Sequence, residues 1–126
     1  MAGDYDLGSV LDFDQLPMVG NRTAIRIEPQ KEFIDWLSYV IEGPIREKPL
    51  TNRAITFLIK EIENPFDFNK WLELNYGLLF NVMLNYYTID KDDWPQKRDM
   101  IVFKSWFSVG VSEMILDLEL EPIILI

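Results

Sequence analysis

Histidine and cysteine are both absent from this chain of 126 residues. Histidine is the side chain whose ordinary pKa lies near neutrality, and cysteine is the strong nucleophile and soft metal ligand. Their absence excludes a Ser-His-Asp triad, a Cys-His pair, a zinc finger, an HExxH helix and a thiol redox switch. Glycine is scarce, six scattered residues, and neither GxGxxG nor GxxxxGK occurs, so there is no phosphate cradle. Lys31, Lys60 and Lys104 stand isolated, which nominates no Schiff-base lysine. The composition leads to no cofactor and no metal.

Positive charge is also scarce. Twelve Lys and Arg face 21 Asp and Glu, a formal net charge of −9, and the longest basic run is Lys97-Arg98. Nucleic-acid binding draws its affinity from cations placed on phosphates, so no nucleic-acid partner is expected. The balance suits a basic protein partner. No apolar run approaches the ~20 residues that span a bilayer. The opening Met1-Ala-Gly-Asp-Tyr-Asp lacks the basic and apolar regions of a signal peptide. The expectation is a cytoplasmic protein with no membrane association.

What is present is a normal globular content, 48% hydrophobic and 13% aromatic with four Trp. The length fits one domain burying roughly two-thirds of its unfolded surface. Residues 1–20 read as an acidic flexible lead-in, with Asp4, Asp6, Asp12 and Asp14 uncompensated, and 21–126 as a single domain. Thr23 to Glu28 alternates as a strand ending at Pro29. From Lys31, the apolar residues Phe33, Ile34, Trp36, Leu37, Val40 and Ile41 recur at helical spacing up to Gly43-Pro44. Arg53 to Ile62 is nearly continuous in apolar and β-branched residues, the mark of a buried central strand. Asn64-Pro65 opens a second helix, in which Gly77 would admit a close neighbour. After a polar loop, Thr88 to Arg98, Asp99 caps a last helix with Phe103, Trp106, Phe107 and Gly110 on one stripe. Residues 113–121 then alternate as a strand with a wet acidic face. The fold class is α+β: a small mixed sheet of about three strands with helices packed on it, in the order β-α-β-α-α-β.

Asp90, Asp92 and Asp93 resemble part of a cation loop. An EF-hand starting at Asp90 needs Gly at its sixth position and Glu at its twelfth, where Pro95 and Ile101 stand. Glu61 with Glu63, and Asp117 with Glu119, are i,i+2 carboxylate pairs of the kind that acid–base chemistry uses in a cleft. The rings of Phe33, Trp36, Trp71, Phe80, Phe103, Trp106 and Phe107 fall on apolar stripes, as core residues do. Trp94 lies off every stripe, beside Pro95 and near Arg98, and either plugs the core or anchors a partner. Ile123, Ile124, Leu125 and Ile126 are consecutive and apolar, and need a cover.

Asn21-Arg22-x-Ala24, Phe33-x-x-Trp36-Leu37, Trp94-Pro95-x-x-Arg98, Phe103-x-x-Trp106-Phe107 and Asp117-Leu118 resemble in combination a family of small bacterial proteins without an established activity. The resemblance covers roughly residues 21–120. It implies a compact bacterial α+β protein and no particular chemistry.

The reading that follows is a non-enzymatic protein–protein interaction module with an acidic surface, immunity- or antitoxin-like by charge analogy alone. Its partner-binding residues are Trp94, Arg98, Asp90, Asp92, Asp93 and Ile123 to Ile126, with no catalytic residue assigned. The alternatives are a homo-oligomeric structural module joined through its C-terminal end, and a carboxylate-based enzyme using Mg²⁺.

Overall fold

Alternation fixes the centre of the sheet. In a computed structural model, described over residues 17–40, 53–87, 90–119 and 121–126, strand β1 (Arg22–Pro29) buries Thr23, Ile25, Ile27 and Pro29 on one face. Strands β2 (Ile55–Lys60) and β3 (Phe107–Ser112) flank it, both antiparallel, in the order β2-β1-β3. The register sets Ile25 between Phe57 and Val111, and Ile27 between Ile55 and Val109, so the apolar sets share one face. Pro29 closes β1 opposite Phe107; the next donor, Gln30 N–H, bonds the Trp106 carbonyl at 2.7 Å.

Among the described residues, three helices cover the apolar face: α1 (Lys31–Val40), α2 (Pro65–Tyr86) and α3 (Met100–Trp106). Their starts follow from local chemistry. Asn64 Oδ1 accepts from Phe66 N at 3.0 Å with Pro65 in the first turn, and Asp99 Oδ1 accepts from Val102 N at 2.9 Å. α1 contributes Phe33 and Leu37 to the core, α2 Leu72, Leu79, Phe80, Met83 and Leu84, and α3 Phe103. Phe107 joins Phe33, Phe80 and Phe103 in a ring cluster with centroids 4.9–5.5 Å from it. The opposite face of the sheet, with Arg26, Thr56, Leu58 and Ser108, is exposed. The α+β class and the order β-α-β-α-α-β are those the sequence predicts.

Three local expectations are corrected. β2 is an edge strand, not the central one: β1 takes that place, and Thr56, Leu58 and Lys60 face outward in alternation. The last helix stops at Trp106, and Phe107 already belongs to β3. Residues 113–119 form no strand. They make one isolated bridge, Met18 with Leu116, held by Val19 N to Ile115 O (2.9 Å) and Asp117 N to Pro17 O (3.0 Å). Residues 1–16 of the expected lead-in, and Gly43-Pro44, lie outside the described residues.

Candidate functional site

The structure brings acidic and aromatic residues together at one place. α1 turns Phe33 and Leu37 into the core, which leaves Trp36 and Val40 half-buried at its margin and Tyr39 82% exposed. Trp36 is held by ring contacts to Trp106 at 5.0 Å and Phe33 at 6.0 Å. Facing it is a short 3-10 turn, Lys91–Asp93, which folds because Asp90 caps it: Asp90 Oδ1 accepts from Asp92 N (3.1 Å) and its carbonyl from Asp93 N (2.9 Å). Asp90 is thereby spent on the turn, whereas Asp92 and Asp93 join Trp36, Tyr39 and Val40 around a groove of about 490 Å³.

Carboxylates and aromatic faces attract the same ligand class. A cation lying over a Tyr or Trp face gains from the ring quadrupole, and a nearby carboxylate adds Coulomb attraction. Among the described residues, no group of three Asp or Glu side chains stands close enough to hold a metal ion. An organic cation such as a guanidinium or ammonium needs no such cage.

The other residues singled out by sequence lie elsewhere. Trp94 packs half-buried against the core, with the Arg98 guanidinium 5.5 Å from its ring centroid; Arg98 also donates to the Pro95 carbonyl at 2.8 Å. With Lys91, Asn81, Val82 and Asn85, Trp94 lines a second groove, of about 430 Å³. The turn at 91–94 thus lines both grooves. Glu61 and Glu63 are exposed beyond β2, and Asp117 Oδ1 accepts from Glu119 N at 3.0 Å; neither pair reaches the acidic groove. Ile123 to Ile126 are exposed, Ile123 at 66% and Leu125 at 92%. Sequence reasoning placed Trp36 in the core stripe and passed over Tyr39. Tyr39 falls between the stripe positions Leu37 and Val40, and that offset was the available signal.

No family model, no curated protein and no solved structure matches this chain. The resemblance over residues 21–120 therefore rests on its motifs alone. Among the described residues, no helix is long and apolar enough to cross a membrane.

Proposed function

We propose that this protein is a non-enzymatic cytoplasmic interaction module, and that it takes up an arginine or lysine side chain of a protein partner in the groove of Trp36, Tyr39, Val40, Asp92 and Asp93. The observation that supports this reading is that two acidic and two aromatic residues line one cavity. The net charge of −9 acts in the same direction by raising the encounter rate with basic partners. A solvent-accessible cation–π contact contributes ~0.5–1 kcal/mol and an exposed ion pair ~0.2–1 kcal/mol. Together they favour a cationic side chain over a neutral one by roughly 3- to 30-fold.

The test is an NMR titration with a short arginine-bearing peptide and its citrulline analogue. Shift changes are expected to concentrate at residues 36–40 and 91–94, with the citrulline peptide the weaker ligand. Asp92→Asn combined with Asp93→Asn should abolish that preference, whereas Glu73→Gln, an exposed acid outside the groove, should leave it unchanged. Equal losses in both variants would mean diffuse charge attraction, and the groove would not be a site.

A further inference from the structure

The apolar layer between sheet and helices opens into a cavity at the Arg22 end of β1. The core-facing side of β1 carries Ile25 and Ile27 and finishes there on Thr23, the one buried polar side chain among the described residues. Ile62, between β2 and α2, is tied to it: Thr23 Oγ1 accepts from Ile62 N at 3.0 Å. β3 leaves the sheet at the same end, where Ala24 pairs with Ser112 and Glu113 follows one place on. Val111 shares the core face with Ile25 yet is 43% exposed, so the cover of the core stops short of it. Pro65 and Phe68, from the first turns of α2, supply the rest of the wall. Thr23, Ile62, Pro65, Phe68, Val111 and Glu113 line a cavity of about 140 Å³. It shares no residue with the groove of Trp36, Tyr39, Val40, Asp92 and Asp93.

Size, walls and polar groups each restrict the occupant. A protein cavity of about 150 Å³ holds a benzene-sized molecule, so the ligand has roughly six non-hydrogen atoms. Ile62, Pro65, Phe68 and Val111 favour an apolar body. Glu113 makes no hydrogen bond or ion pair among the described residues, and a carboxylate favours a cationic donor. The Thr23 hydroxyl spends one acceptor position on Ile62 N and retains a second. A compact ammonium suits two acceptors better than the fixed, planar fork of a guanidinium.

We propose that this cavity binds a primary ammonium carried on a short aliphatic chain, with the chain among Ile62, Pro65, Phe68 and Val111 and the head at Glu113 and Thr23. A free alkylamine and a lysyl side chain share this chemistry. The proposal does not rest on the acidic groove described above.

NMR titrations of the full chain with n-butylammonium, n-butanol and butyrate at equal ionic strength test it. Shift changes with n-butylammonium should concentrate at Thr23, Ile62, Phe68, Val111 and Glu113. The alcohol should bind about threefold more weakly, the value of one exposed ion pair, and butyrate more weakly still. Glu113→Gln should remove the preference for the ammonium and leave the affinity for n-butanol unchanged; Glu113 is exposed, so the fold should survive. Val111→Phe should fill the cavity and weaken both ligands. Acetyl-lysine methylamide binding as tightly as n-butylammonium would identify a lysyl side chain as the natural form, and its exclusion a free amine; either result upholds the site. Shift changes confined to residues 36–40 and 91–94, equal affinity for n-butylammonium and butyrate, or an ammonium preference that survives Glu113→Gln would each overturn the proposal.

Discussion

Replacing Phe107 by alanine removes the residue at which sheet and helices meet. Its ring is 1% exposed and touches Phe33 from α1, Phe80 from α2 and Phe103 from α3. Truncation of a buried Phe costs ~3–5 kcal/mol, the transfer of the lost carbons plus the cavity left behind. Three ring partners, each worth about 0.5–1.5 kcal/mol beyond area burial, place this site toward the upper end. A domain of this size has ~5–15 kcal/mol in all. Urea unfolding is the assay. With a slope of about 1.5 kcal/mol per molar, a loss of ~4 kcal/mol lowers the midpoint by roughly 3 M, or leaves the chain unfolded in buffer. Phe107→Leu keeps most of the volume and should lose less than half as much. Phe66→Ala supplies the contrast: that ring is 81% exposed in the first turn of α2, and its loss should stay within about 0.5 kcal/mol. Equal midpoints for Phe107→Ala and Phe66→Ala would refute the core assignment.

Two further outcomes follow from single contacts. Tyr87 is buried and donates its hydroxyl to the Arg53 carbonyl at 3.1 Å; burial, opposed in part by the Arg53 charge and assisted by Tyr86, pushes its pKa up to about 12. The folded state holds this proton longer than the unfolded chain, whose tyrosine titrates near 10, so the stabilisation is complete below pH ~10 and is lost as pH rises toward 12, on the order of 2–3 kcal/mol; Tyr87→Phe should flatten that fall in alkaline urea titrations, and an unchanged slope would remove the buried phenol from the account. Asn64→Ala should cost about 1 kcal/mol by exposing the uncapped Phe66 N–H, read as a lower thermal midpoint, whereas Asn64→Ser should restore most of it.

Elements that declare themselves locally were legible in the sequence. β1 is written in Thr23, Ile25 and Ile27, α1 in the Phe33–Leu37 spacing, and two helix starts in Asn64 and Asp99. What was hidden depended on partners distant along the chain. Phe107 sits four residues after Phe103, so it prolongs the helical stripe; only the alternation of Phe107, Val109 and Val111 with Ser108, Gly110 and Ser112 marks the strand. The sharper alternation at 113–121 gains no ladder, because its only partners among the described residues are Pro17 to Val19. β2 looked central because its apolar run is nearly continuous. Strand order is decided by which strands pair, and no local pattern records that. Of the acidic groove, Asp92 and Asp93 were named, but their convergence with Tyr39 arises from packing α1 against a turn more than 50 residues away.

The place of β1 between its neighbours has a consequence for synthesis. β2 begins at residue 55, but β3 begins only at residue 107. A chain emerging from the ribosome can form the β1–β2 pair early, while the other edge of β1 keeps its backbone groups unpaired until β3 has been made. Phe107, the residue that joins the ring cluster, arrives at the same late moment. Closure of the sheet and completion of the core are thus one event, governed by contacts distant in sequence, which is the circumstance that slows folding and leaves an adhesive edge open in the meantime.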